Sequence, residues 1–118
     1  MTLQECYIKL EGNYDEVIGR LRKEELVKKF VVKFLDDPSF NNLCNAMETH
    51  DREEAFRAAH TIKGVCQNLS FTKLYSSSHD LTESLRNEWG EGYDELFNRT
   101  VADYEQTAAT IRELIAAG

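Results

Sequence analysis

Apolar residues recur every three or four positions along nearly the whole chain, and little interrupts them: the 118 residues hold one Pro and six Gly. This spacing follows the 3.6-residue turn of an α-helix, and no segment shows the alternation of a strand. Leu3, Cys6, Tyr7 and Leu10 share a face in residues 2–10, and Val27, Phe30, Val31, Phe34 and Leu35 share one in residues 23–35. Phe40, Leu43, Cys44 and Met47 follow, with Pro38 placed for a first helical position after an Asp37 cap. Asp51 and Glu54 have the spacing of a capping box that opens a helix running to about Leu69. Ser70 is expected to cap the next helix, marked by Phe71, Leu74, Ser78, Leu81, Leu85 and Trp89. Gly90 and Gly92 precede a last helix with Phe97, Val101, Tyr104, Ala108, Ile111 and Ile115 on one side. Gly12 and Gly19 read as breaks in the N-terminal fifth. The pattern predicts an all-α fold, an antiparallel helical bundle with short connections, in a single domain spanning residues 1–118.

Charge and composition narrow the functions open to such a bundle. Fourteen Lys and Arg stand against 21 Asp and Glu, a net charge of −7, which disfavours nucleic acid and anionic membrane as partners. No apolar run is long enough to span a bilayer. The start, MTLQECYIKLEG, lacks the basic-then-apolar form of a secretory signal, and Met1 is read as the start of a stand-alone module. Cys6, Cys44 and Cys66 are odd in number and unpaired in spacing, as reduced thiols in a cytoplasmic protein would be.

One helix carries chemistry. On a wheel of residues 51–69, Ala55, Ala58, Ala59, Ile62, Val65, Cys66 and Leu69 form the core stripe. His60 points roughly opposite, with Phe56, Lys63, Gly64 and Gln67 near it, one turn before or after. This placement argues against a buried structural histidine. A mid-helix Gly costs about 1 kcal/mol relative to Ala, and no predicted packing asks for Gly64. Either it is a tolerated surface glycine or it clears a path to the imidazole. From Ala55 to His79 there is no Asp or Glu, while Arg57, Lys63 and Lys73 are present, so this window suits an anion or an acidic partner pocket. Lys63 can reach a group attached to the ring, and Gln67 can donate an amide hydrogen bond over nearly the same surface.

The stretch AAHTIKGVCQNLSFTKL resembles the signature of histidine-containing phosphotransfer domains, A-H-x-[LI]-K-G, here Ala59, His60, Thr61, Ile62, Lys63 and Gly64. The resemblance implies a four-helix bundle with an additional short N-terminal helix, and a phosphorelay module of a two-component system. It implies that His60 accepts a phosphoryl group and exchanges it with a receiver-domain aspartate. It also implies that Lys63 pairs with the phosphoryl oxygens, that Gly64 gives the partner access, and that Gln67 adds a hydrogen bond. Phe56 and Arg57 join His60, Lys63, Gly64 and Gln67 as partner-binding candidates. The implied partners are a response-regulator receiver domain and a sensor or hybrid histidine kinase, with the module itself monomeric. The family commonly has Gly ten residues after the His, where this chain has Ser70; a local change in the turn is expected there, with phosphotransfer retained.

The chemistry agrees with this resemblance. A solvated imidazole titrates near about 6.5, so a lone-pair nitrogen is free to attack at neutral pH. Phosphoryl transfer then depends on positioning and on neutralising the equatorial oxygens. The chain has no glycine-rich nucleotide loop and no carboxylate cluster beside His60 to hold Mg²⁺, so it reads as a relay intermediate without kinase activity or cofactor of its own. The Mg²⁺ and the acidic pocket are expected in the receiver. No metal site is expected, since His50, His60, His79 and the cysteines show no CxxC, HxxxH or HExxH spacing. A Cys66–His60 hydrolase pair fails because the two face opposite sides. His50 and His79 are expected on loops or the surface, and Phe30, Phe34, Phe71, Trp89, Phe97 and Tyr104 in the core. Phe56 belongs either to a half-buried helix seam or to a docking patch. The alternative function is a non-catalytic helical adaptor that binds a receiver or partner helix without phosphotransfer.

Overall fold

The computed structural model describes residues 1–118 and contains seven α-helices and no strand. Short helices α1 (Leu3–Lys9), α2 (Tyr14–Leu21) and α3 (Glu24–Lys33) lead through a 3₁₀ turn (Phe34–Asp36) into α4 (Ser39–Glu48), α5 (Arg52–Leu69), α6 (Thr72–Leu85) and α7 (Tyr93–Ala116). The fold is thus a helical bundle, α4 to α7, with short N-terminal helices packed onto it.

Local chemistry sets the boundaries. Thr2 and Glu5 form a reciprocal capping box at the start of α1. Asn13 caps α2, and the Asp37 carboxylate accepts the Ser39 N–H at 2.8 Å beside Pro38. Asp51 caps α5 by accepting from the Glu54 N–H, but Glu54 turns its side chain to Arg57 instead of closing the box. Three helices end in the same way. Glu11, His50 and Ser70 adopt left-handed backbone, with φ of 59°, 56° and 56°. The next N–H in each case folds back onto a carbonyl five residues earlier: Gly12 to Tyr7, Asp51 to Ala46 and Phe71 to Cys66. These are Schellman motifs in which a non-glycine residue bears the left-handed strain.

Antiparallel packing follows from the short connections and is visible in specific contacts. The Arg52 guanidinium at the start of α5 donates to the Leu85 carbonyl at the end of α6 at 2.6 Å. Thr100 on α7 donates to the Ser77 carbonyl of α6, and Arg99 pairs with Asp80. Phe40 of α4 stacks on Tyr104 of α7 with centroids 3.7 Å apart, and Lys9 of α1 pairs with Glu113 of α7. The core stripe of α5 is buried as its wheel requires at Ala55, Ala58, Ala59, Ile62, Cys66 and Leu69, with Val65 only half-buried. Burial pushes the Cys6 thiol up to about 11 and raises the Cys66 thiol further, so both stay protonated as core hydrophobes.

Several expectations need correction. Residues 14–21 form a helix that runs through Gly19, because the Asn13 cap and the burial of Val17 outweigh the local cost of glycine. Ser70 does not cap α6: it is the left-handed end of α5, and Phe71 precedes α6 without a side-chain cap. Trp89 lies beyond α6, stacked on His50 with centroids 4.1 Å apart. Phe30 is 39% exposed, at the rim of an apolar groove with Leu21, Val65 and Leu69. His79 sits within α6, with its Nδ1 buried and without a hydrogen-bond partner. Gly12 has a packing reason that its sequence context does not reveal, since a Cβ there would stand 2.7 Å from the Ser70 carbonyl oxygen.

Candidate functional site

His60 is exposed in the middle of α5. The alanines at 55, 58 and 59 let this helix sit close against its neighbours, and the opposite side is left to solvent. Lys63 and Gly64 are partly exposed and Gln67 is exposed, one and two turns along the same side. No ion pair of the chain involves Lys63. A Cβ built on Gly64 would meet nothing within 4 Å. The missing side chain therefore answers to nothing inside the protein; it leaves bare backbone facing outward, one turn from the imidazole.

The N-terminal side of His60 is furnished differently. Phe56 is half-buried and packs against the core, so it belongs to the helix seam. Its ring also lies nearly parallel to the His60 imidazole, with centroids 5.9 Å apart and an interplanar angle of 15°. The Arg86 guanidinium lies over the Phe56 ring, 5.2 Å from its centroid. Arg86 in turn makes two hydrogen bonds to Glu83, at 2.9 and 3.1 Å. An open depression beside His60 is lined by Arg52, Phe56, Arg57, Arg86 and Asn87, together with Glu53.

Sequence reasoning missed Arg52, Arg86 and Asn87, which line the depression with His60, and Glu83, which pairs with Arg86. A signal existed: reflecting Phe56 across the turn at Ser70–Phe71 lands beside Leu85 and Arg86. The acid-free window is also filled in space. Glu83 reaches it from α6, and its carboxyl is held below the usual range chiefly by the Arg86 hydrogen bonds, with His79 and Lys63 adding their charges. Arg57 is exposed but engaged by Glu54 one turn back. Nowhere do three or more His, Cys, Asp or Glu side chains converge as a cation site would require, and no helix is long and apolar enough to cross a membrane.

Chemically, the arrangement offers a solvent-facing nucleophile, an unpaired cation on one side, an arginine-lined hollow on the other, and open backbone between. Comparison with known proteins is consistent with this: the family model for the Hpt domain matches residues 25–117. No curated protein and no solved structure matches the chain.

Proposed function

Since the chain belongs to the Hpt domain family, typical of phosphorelay histidine phosphotransfer modules, we propose that His60 accepts a phosphoryl group from a receiver-domain aspartate and returns it to another. The observation that carries this reading is the outward-facing His60 with Lys63 and the open backbone of Gly64 on the same side of α5.

In the forward step, a ring nitrogen of neutral His60 attacks phosphorus in line with the acyl oxygen. The N–P bond forms, the P–O bond breaks, the aspartate leaves as carboxylate, and the proton on the other ring nitrogen passes to water. The phosphoryl oxygens stay anionic throughout, so the Lys63 ammonium steadies them. Gln67 donates an amide hydrogen bond from the next turn. Gly64 lets the receiver's loop come close enough for its Mg²⁺ and acidic pocket to share the phosphoryl group. Phe56 and Arg57 border the docking face. Residues 1–118 act as one relay domain, monomeric and cytoplasmic, without nucleotide binding, taking the phosphoryl group onward from a sensor or hybrid kinase.

Incubation with a phosphorylated receiver tests the proposal. Acid-labile, base-stable label should appear on the chain and vanish in His60→Gln. Label that persists in that variant overturns the assignment. Receiver binding without any label establishes the adaptor role instead.

A further inference from the structure

The apolar groove beside Phe30 is separate from the depression at His60. It has a volume of about 350 Å³ and lies between α2, α3 and α5. Ligand sites span about 300–1,000 Å³, so it has room for one small molecule. Leu21, Phe34, Val65 and Leu69 line it, and Phe30 stands at its rim, more exposed than any other aromatic residue of the chain. Because separate elements hold these side chains, the groove is formed before anything enters it. Its charged lining is lopsided: Arg20 and Lys33 against Asp37. The Asp37 carboxylate is already engaged, accepting the Ser39 N–H at 2.8 Å. Lys33 joins no ion pair, although Asp37 is four residues on and lines the same groove. Arg20 spends Nη1 on the end of α5, while its Nη2 has only a Glu16 oxygen at 3.5 Å. That is longer than the usual hydrogen-bond range of about 2.7–3.2 Å. An apolar trough is therefore edged by two cations with unspent donors.

We propose that this groove is a binding site for a small organic carboxylate with an apolar body, of the kind a medium-chain fatty acid presents. The body lies along Leu21, Phe30, Val65 and Leu69, and the carboxylate accepts hydrogen bonds from the Lys33 ammonium and Arg20 Nη2. Apolar area removed from water supplies most of the affinity. The charges choose the head group: a cationic amphiphile would face Arg20 and Lys33, and a neutral one would leave their donors unused. Nothing in this inference depends on the chemistry of His60.

Decanoate below its micellar concentration is the probe, with decanol and decylamine as neutral and cationic counterparts. In two-dimensional amide NMR of the full chain, decanoate should shift the backbone amides of Phe30, Lys33, Val65 and Asn68, and the shifts should saturate. Decanol should bind wild type about threefold more weakly and decylamine more weakly still, and Lys33→Gln should weaken decanoate about threefold. Phe30→Ala should weaken it about fivefold. Shifts that do not saturate, or that scatter over the surface, overturn the site. Equal affinity for decanoate and decylamine overturns the carboxylate assignment, and this comparison uses wild type alone, so it stands whether or not a variant folds. Should decanoate leave these amides unmoved while a receiver domain or a rise in protein concentration moves them, the groove is a protein-docking face and the inference is overturned. No phosphoryl transfer enters these measurements, so their failure and that of the relay reading are told apart.

Discussion

Arg20 and Ser70 meet across fifty residues of chain: the Arg20 Nη1 donates to the Ser70 hydroxyl at 3.0 Å. The same nitrogen reaches the carbonyls of Asn68 at 2.7 Å and Gln67 at 3.2 Å, and the Ser70 hydroxyl donates to Glu16 at 2.6 Å. The last carbonyls of a helix have no donors within it. Here α2 supplies them, so a residue outside the bundle closes the end of the helix that carries His60. Ser70 occupies a left-handed position that glycine fills at less cost, and its hydroxyl is what it offers in return.

Replacing Ser70 separates these two effects. Ser70→Ala keeps the strain and loses the hydroxyl, so unfolding by urea should show a loss of about 1–2 kcal/mol. Ser70→Gly relieves the left-handed cost of about 1 kcal/mol while losing the same bonds, so it should stay within about 1 kcal/mol of wild type. An Ala variant at least as stable as the Gly variant would contradict the account.

Gly64→Ala should move stability and function in opposite directions. The added methyl meets nothing within the protein, and Ala favours a helix interior over Gly by about 1 kcal/mol. The melting temperature should rise while phosphoryl transfer from a receiver slows. Transfer at the wild-type rate would show that the open backbone has no part in docking.

Tyr7 offers a test of how α1 is held. Its hydroxyl is fully buried and donates to the Leu69 carbonyl at 2.7 Å. Tyr7→Phe leaves that carbonyl without its side-chain partner and should cost about 1–2 kcal/mol, read as a lower urea midpoint with the helical circular dichroism retained.

Alkaline pH should destabilise the fold through groups that the core keeps protonated. Burial raises Cys6 to about 11 from its ordinary 9.0, and raises Cys66 and Tyr7 as well. Above pH 9 the unfolded chain releases thiol protons that the folded chain retains, so stability falls as pH rises. The stabilisation is complete below pH 9 and, for Cys6, lost by the time pH passes about 11. Cys6→Ala should flatten part of this slope in urea titrations between pH 8 and 11; an unchanged slope would show that Cys6 is not among the groups responsible.

The stripe of His60, Lys63, Gly64 and Gln67 was legible because it belongs to one helix, and a wheel needs only the local rise and turn. Gly19, by contrast, was read as a break because a glycine's helical cost is local, whereas the burial of Val17 that offsets it comes from tertiary packing. Phe30 has the spacing of a core residue but lies at the margin where α3 meets the groove beside α5, so periodicity alone misplaces it.

What the amino-acid order decided by itself is the helical class, the burial of one side of α5 and the exposure of the other, since both follow from spacing within a single segment. Which charges stand beside His60 from elsewhere was decided only when α6 folded back along α5 and carried Glu83 and Arg86 alongside. Interactions between helices depend on register and crossing, which are set by how whole faces pack, and no pattern confined to one helix contains that information.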